Sequence, residues 1–249
     1  MSYRPDPDLD FLEKLESAQL HKLVRCLTHD DNNQPRLTEA LSSSTPYKTH
    51  YPDHHQYWQL VAAELQRFGA NTLATAMRGG QGVFYQQILK DVCEKLRVPY
   101  ATTYSTEVNE RSLLLKILAK SLENMNAAQQ ATIAAALEFK ASAPVSPAEI
   151  IKTFEEGFRT GGSRSHALGL LLANFVAPSI TETHPTSLVG LEIGGAMSLF
   201  AGPLGLLLGG LWAVLDIASP AYRVCIPAVL IVSILRQHGL HGELFAKDA

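Results

Sequence analysis

The sequence predicts an all-α fold, a multi-helix bundle that carries a Gly-rich apolar helical hairpin in its C-terminal part. Three observations support this fold class. Apolar residues recur three and four positions apart through most of the chain, which is the spacing of one helix face. Helix start and stop signals accompany these stretches. No run alternates apolar and polar residues for long enough to predict a half-buried strand.

The first 160 residues are predicted to form short amphipathic helices joined by polar or Gly-containing turns. Apolar spacing predicts helices over residues 9–15, 20–27, 58–68, 73–77, 85–96 and 108–125. Gly69 is expected to end the helix that begins near Trp58. Residues 28–56 are rich in Asp, Asn, Ser, Pro and His, which predicts a loop with about one helical turn around Leu37–Leu41. We therefore expect an N-terminal helical module with its polar loop over 1–56, and an amphipathic helical domain over 57–160.

Three features predict how the end of that domain is built. Ala-rich residues 127–142 predict a further helix. Ser146 and Glu149, with Pro147 between them, form the capping-box pattern and predict a helix start at that point. The glycines of residues 157–163 predict a hinge or linker before the apolar region.

Charge is distributed unevenly along the chain. Residues 1–164 contain 18 Lys or Arg and 19 Asp or Glu, whereas residues 165–249 contain 3 and 5. The net charge of −3 and the lack of a basic cluster argue against nucleic acid as a partner. The polar N-terminal residues show no secretory signal, and three separated cysteines indicate free thiols in a reducing compartment. We expect a cytoplasmic protein, or one that is peripheral to or inserted in the inner membrane.

Residues 193–215 are the most informative segment, because 23 consecutive positions carry no charged side chain. As a helix they would extend about 34 Å, against about 30 Å for the hydrocarbon core of a bilayer. Small residues four positions apart would let a second helix approach closely, and would allow the chain to oligomerise. They form two ridges, Gly194, Ser198 and Gly202, and Ala201, Gly205, Gly209 and Ala213. Pro203 is expected to kink the run or to divide it into two shorter helices.

The predicted hairpin region spans residues 165–237, and a tail follows over 238–249. Residues 224–235 form a second apolar run of 12 positions, which predicts a buried or interfacial helix too short to cross a bilayer. Asp216 and Arg223 lie between the two runs, and we expect them to pair across the connecting turn. Two environments remain open for this region, lipid or the core of a soluble helical bundle.

A groove for a partner helix is predicted on the amphipathic helices of residues 58–96. Glu64 and Arg67 would supply its polar groups. Trp58, Phe68 and Tyr85 would supply its apolar lining. A solvated helix face explains the charged pair equally well.

The sequence contains no recognisable catalytic, cofactor-binding or metal-binding constellation. Three histidines lie within residues 50–55, but Pro52 disrupts the helical spacing that a metal site would use, so loop histidines are the simpler interpretation. The glycines of residues 79–82 lack the Lys-Ser/Thr of a phosphate-binding loop. We therefore expect a protein that is not an enzyme and that uses no cofactor and no metal.

Several runs resemble the YaaW-type family of uncharacterised bacterial proteins. They are residues 3–12 (YRPDPDLDFL), 27–30 (LTHD), 58–71 (WQLVAAELQRFGAN), 85–96 and 221–229 (AYRVCIPAV). The resemblance covers most of the chain and includes a short N-terminal domain of unknown function. The family is distantly grouped with ubiquinol–cytochrome c chaperones, which are helical assembly factors. That grouping implies an all-α fold and a client-handling role, and it supplies no catalytic residues.

Together these observations predict a non-enzymatic helical protein that acts at a membrane through its apolar C-terminal hairpin. It would be either a membrane-anchored assembly factor or a membrane-inserting, pore-forming protein. The expected partners are membrane lipid or an apolar protein segment. Two alternatives are a soluble chaperone-type assembly factor that binds an apolar client segment, and an immunity or regulatory protein that masks a partner.

Overall fold

The computed structural model describes residues 2–30, 34–70, 82–123, 125–137, 145–176 and 222–245. Over these ranges the chain forms α-helices and short 3-10 helices without a β-strand, so the predicted all-α class is confirmed. The α-helices are α1 (Ser17–Thr28), α2 (Thr45–His50), α3 (Trp58–Gly69), α4 (Tyr85–Lys95), α5 (Thr106–Leu122), α6 (Ala127–Ala136), α7 (Pro147–Thr160), α8 (Gly162–Val176) and α9 (Tyr222–Phe245). The first 3-10 helix is Asp10–Lys14 and the second is His54–Tyr57. The first apolar run of the predicted hairpin, residues 193–215, lies outside the described residues.

The chain divides into two compact units. Unit 1 contains Met1–Asn109 and Ile217–Gly239, and unit 2 contains Glu110–Asp216 and Leu240–Ala249. This division differs from the consecutive segments predicted from composition, because most of α9 returns from the C-terminal part of the chain to complete unit 1. Composition is a local property, so it does not reveal which distant residues a helix packs against.

Two predicted helices of unit 1 are confirmed with nearly the expected bounds. α3 ends at Gly69 as predicted, and α4 covers residues 85–95 of the predicted 85–96. A side chain at residue 69 would overlap the Ile88 side chain of α4. Gly69 therefore ends α3 and also lets α4 pack directly against it.

Residues 28–56 contain more regular structure than the predicted loop. α2 begins after Ser44, whose side chain accepts a hydrogen bond from Tyr47 N–H, and Pro46 lies in its first turn. The second 3-10 helix follows and packs against α1, α2 and α3. The segment thus forms a small helical connection that fixes the start of α3.

Unit 2 contains the predicted capping box at the start of α7. Ser146 Oγ accepts from Glu149 N–H, and the Glu149 carboxylate accepts from Ser146 N–H at 2.8 Å. Gly157 lies inside α7, where a side chain would overlap Leu168 of α8. The chain turns between these helices at Gly161, whose φ of +68° favours glycine. The predicted hinge is therefore a tight turn that joins two closely packed helices.

The longest helix in the described ranges is α9, with 24 residues. Pro227 lies inside it, and polar residues follow its apolar run after Leu235. Within the part of the chain that the structure describes, no helix combines the length and the apolar character needed to cross a membrane.

Candidate functional site

The C-terminal helix α9 is an apolar helix enclosed by protein. Residues 224–238 are buried, except for Pro227, which is half-buried. A helix that is apolar around its whole circumference requires burial on all sides. Residues 224–235 were predicted to form a buried or interfacial helix; the structure shows a buried one, and it extends beyond that run at both ends.

Side chains of α1 and α4 contact the backbone of α9 within unit 1. Tyr85 of α4 is fully buried, and its hydroxyl donates to Val229 O at 3.5 Å. The Sγ atom of Cys26 in α1 lies 3.9 Å from Val224 O. Unit 1 therefore holds α9 by polar contacts to its backbone as well as by apolar packing.

Arg236 shows how a cation is accommodated directly after the apolar run of this helix. Its side chain is buried and donates from Nη2 to Asp8 O. The guanidinium carbon lies 4.3 Å from the centre of the Phe11 ring and 5.7 Å from that of the Tyr85 ring. The carbonyl oxygen and the aromatic faces replace part of the hydration that the cation loses on burial. These contacts join the start of the chain to its C-terminal helix.

The N-terminal segment is held by two buried polar side chains. The amide of Gln66 in α3 pairs with the backbone of Arg4, since Arg4 N–H donates to Oε1 at 3.1 Å and Nε2 donates to Arg4 O at 2.8 Å. The Asp6 carboxylate accepts from Tyr85 N–H at 2.7 Å and from Asp8 N–H at 3.1 Å. Burial raises the pKa of Asp6, although these N–H donors oppose the rise. Because Tyr85 is the first residue of α4, Asp6 caps that helix from a distant part of the chain.

The apolar side chains predicted to line a partner groove are buried in unit 1. Trp58 and Phe68 expose only 9% and 8% of their surface, and Tyr85 exposes none. Tyr3 packs edge-on against Trp58 with ring centres 5.4 Å apart. Within the described part of unit 1 these side chains do not line an open groove, because all three are buried and Tyr3 covers Trp58. Binding of a partner at these residues stays a prediction.

The charged pair predicted for the same groove has a structural role. Glu64 is fully buried, and its carboxylate accepts from Arg67 and from Ala40 N–H at 3.2 Å. Arg67 is partly exposed and also donates to Thr38 O. A buried carboxylate requires such partners to offset its lost hydration. The pair therefore fastens residues 34–44 to α3, which neither sequence-based interpretation anticipated.

A polar cluster joins α1 to the second 3-10 helix. His21 Nδ1 lies 2.8 Å from His54 Nε2, and His54 Nδ1 lies 2.5 Å from the Tyr57 hydroxyl oxygen. His54 is fully buried. Desolvation and the neighbouring His21 lower the pKa of His54 to about 4. Desolvation lowers the pKa of His21 as well, and the nearby Arg25 and Lys22 add to that effect.

The sequence predicts that His54 is a loop histidine, and it contains no signal for the contact between His54 and His21. The two residues lie 33 positions apart, and no helical spacing relates them. The ring of the adjacent His55 faces elsewhere, with Nδ1 3.2 Å from Leu15 O. Among the described residues, no group of three or more His, Cys, Asp or Glu side chains is placed to hold a metal ion.

Most residues of the predicted hairpin lie outside the described residues. They are Gly194, Ser198, Gly202, Pro203, Gly205, Gly209, Ala213 and Asp216. Arg223 is described; it is exposed and is the second residue of α9. Its pairing with Asp216 stays a prediction.

Comparison with known proteins places the chain in a family. A model of a domain of unknown function (DUF3944) matches residues 3–37, the part that contains the N-terminal segment and α1. A UPF0174 protein of Helicobacter pylori strain J99 is 37% identical over 237 residues, which cover 95% of this chain and 93% of the relative. The UPF0174 protein YaaW of Escherichia coli K12 is 31% identical over 243 residues, covering 95% of this chain and 96% of the relative. No solved structure matches the chain. The resemblance to YaaW-type proteins is thus confirmed, and the chain belongs to the UPF0174 family.

Proposed function

We propose that this is a non-enzymatic helical protein that acts at the inner membrane through residues 193–215, with unit 1 as the folded body that holds the following helix. The observation that carries the proposal is the 23-residue run at 193–215, the longest stretch of the sequence without a charged side chain. α9 begins shortly after this run in the sequence, and most of its residues are buried. Because α9 already buries its apolar surface, the preceding run is the segment best suited to meet lipid.

The small residues of this run support close helix packing in lipid. Apolar burial supplies no drive between helices inside a bilayer, so close backbone approach becomes a main source of association. Pro203 favours two short helices that enter and leave from one side, or one kinked helix. Either arrangement is compatible with a membrane-anchored assembly factor or with an inserted oligomer.

Vesicle flotation tests the proposal with the full chain. We expect the protein to float with vesicles of phosphatidylethanolamine and phosphatidylglycerol, and we expect Leu207→Glu combined with Leu211→Glu to abolish flotation, because a buried carboxylate is costly in hydrocarbon. Leu37→Glu is the matched control, since Leu37 is fully exposed on unit 1. Wild-type protein that stays with the buffer at every lipid ratio would refute membrane action. An equal loss of flotation for the control would refute the assignment of membrane binding to residues 193–215.

The two tryptophans allow insertion to be observed directly. Trp58 is buried in unit 1, whereas Trp212 lies in the uncharged run. In a Trp58→Phe variant the emission therefore reports on Trp212 alone. We expect a blue shift on addition of vesicles and quenching by brominated lipid. Emission that is unchanged by vesicles would contradict insertion of this segment.

Dye release separates the two membrane functions. A membrane-inserting, pore-forming protein is expected to release a small entrapped dye from vesicles at protein-to-lipid ratios that give full flotation. An anchored assembly factor is expected to float without release. This result decides between the branches of the proposal, whereas flotation tests the proposal itself.

The enclosure of α9 favours one second candidate, a soluble chaperone-type assembly factor. Side chains that enclose one apolar helix are of the kind that would line a groove for another. This function predicts a monodisperse protein, purified without detergent, that co-purifies with one membrane-protein client and loses it on Trp58→Ala. Thermal unfolding of that variant is the control, because Trp58 is part of the core of unit 1. Retention of the client by a folded Trp58→Ala protein would count against this candidate.

A further inference from the structure

The second 3-10 helix is the junction of the N-terminal part of unit 1. It packs against α1, α2 and α3. His54, one of its residues, is fully buried and has a hydrogen-bonding partner at each ring nitrogen. Its Nε2 faces His21 of α1 and its Nδ1 faces Tyr57. Its ring also packs edge-on against Tyr51 at 5.6 Å, so a change in the charge of His54 acts where three helices meet.

The contact between the two imidazoles depends on their protonation. A hydrogen bond between His21 Nδ1 and His54 Nε2 at 2.8 Å needs one N–H and one lone pair. Two neutral rings supply this combination. One added proton still leaves an N–H between the rings but places a charge on a buried pair. A second added proton sets two N–H groups against each other, and the hydrogen bond is lost.

The surroundings of the pair disfavour added positive charge. The titratable groups that act on the two rings are Lys22 and Arg25 of α1 at His21, and Asp53 at His54. Tyr51 and Tyr57 contact the His54 ring, and Tyr47 of α2 packs against both tyrosines. The charged groups Glu64 and Arg67 of α3 are paired with each other. Asp53 opposes the effect on His54, but Ser17 and Gln56 already donate to its carboxylate. Few neighbouring groups are therefore available to offset a positive charge on either ring.

We propose that the His21–His54 contact is an acid-sensitive latch, which fastens α1 to the second 3-10 helix while both rings are neutral and opens as they become protonated. Opening would release the connection of residues 45–57 from α1 and leave the α9 side of unit 1 in place. The device does not depend on membrane binding, so it stands or fails separately from the proposed function.

The sign of the pH effect follows from where the rings bind protons. Burial keeps both pKa values below the ordinary value of 6.5, and that of His54 lies at about 4. Between these values the open form binds protons that the closed form does not. The latch is therefore fully closed above about pH 6.5 and is progressively lost as the pH falls toward 4.

Hydrogen–deuterium exchange of the full chain, corrected for intrinsic exchange rates, tests the latch. In the wild type we expect the opening equilibrium of residues 17–28 and 45–57 to rise by up to about tenfold per pH unit for each ring between pH 6.5 and 4. The double variant His21→Asn and His54→Gln cannot be protonated at these positions and should show no such rise. The matched control His50→Gln removes an exposed histidine and should keep the wild-type slope.

Two results of this experiment would overturn the latch. One is an opening equilibrium in the wild type that does not change with pH. The other is an equal rise in α4, which would show that acid unfolds unit 1 as a whole. If the double variant fails to fold, the imidazole nitrogen signals of the wild type decide the question, because a His54 ring that titrates near pH 6.5 contradicts the proposal.

Discussion

Replacing Asp6 by alanine tests how much the N-terminal segment contributes to unit 1. Asp6 is buried, and its carboxylate accepts backbone N–H groups from Tyr85 at 2.7 Å and from Asp8 at 3.1 Å. A third, longer contact comes from Gln66 Nε2 at 3.5 Å. The Asp6→Ala variant leaves Tyr85 N–H, at the start of a buried helix, without this acceptor.

The expected loss in stability is the balance between the loss of the hydrogen bonds to Asp6, which destabilises, and the removal of its buried charge, which stabilises. A hydrogen bond to a charged group contributes about 1.5–3 kcal/mol, and an unsatisfied buried donor costs about 1–3 kcal/mol. The raised pKa of Asp6 shows that burial penalises the charge at neutral pH, and alanine removes that penalty. We therefore expect a net loss of about 2–3 kcal/mol in the free energy of unfolding.

Urea denaturation at pH 7, followed by circular dichroism, measures this loss. Asp8→Ala is the matched control, because it removes the same charge two residues away and keeps the Asp8 N–H that Asp6 accepts. We expect the control to change stability by less than about 0.5 kcal/mol. Equal stability of Asp6→Ala and the control would refute the capping role that the structure assigns to Asp6.

Two further predictions concern packing and thiol chemistry in unit 1. Gly82→Ala is expected to lower the free energy of unfolding by about 1–3 kcal/mol, because the new Cβ would overlap Gln66 Cβ and lie 2.7 Å from the Gln66 carbonyl carbon. Thermal unfolding measures this loss. Gly239→Ala is the control: the nearest atom is 3.8 Å away, and stability should rise by up to about 1 kcal/mol because alanine favours the interior of a helix such as α9. Cys225 is expected to resist iodoacetamide at pH 8 in the native chain, because burial raises the pKa of its thiol to about 12. The half-buried Cys26 is expected to react first. Peptide mapping that finds Cys225 modified without denaturant would contradict this order.

Elements with a local signal could be predicted from the sequence. The capping box of Ser146 and Glu149 predicted the start of α7, and Gly69 predicted the end of α3. Both signals depend on residues within one helical turn, so the surrounding fold has little opportunity to override them. α2 was not predicted, although Ser44 and Pro46 form a helix start signal, because the polar composition of residues 28–56 indicates a loop.

Contacts between distant parts of the chain could not be predicted in this way. Gln66 pairs with the backbone of Arg4 through an amide that has no characteristic sequence pattern. The His21–His54 contact likewise joins two helices whose relative position depends on the whole unit. The spacing of Glu64 and Arg67 predicts that they lie on one helix face. It does not predict that residues 34–44 pack over them and bury Glu64.

The two apolar runs of the C-terminal part show that apolar composition alone does not predict whether a segment lies in lipid or in a protein core. An apolar run is favourable in lipid and in a protein core alike, so its surroundings are decided by its length and by the polar groups at its ends. The α9 run has 12 residues, about 18 Å of helix, and Arg236 follows it with an acceptor at Asp8 O and an aromatic neighbour at Phe11. Such an apolar run is too short to cross a bilayer, and protein groups surround the cation that follows it. The run at 193–215 is nearly twice as long and contains no cation or carboxylate that requires a protein partner. By the same criteria we propose lipid as its surroundings, and Trp212 within it is the probe that should report insertion first.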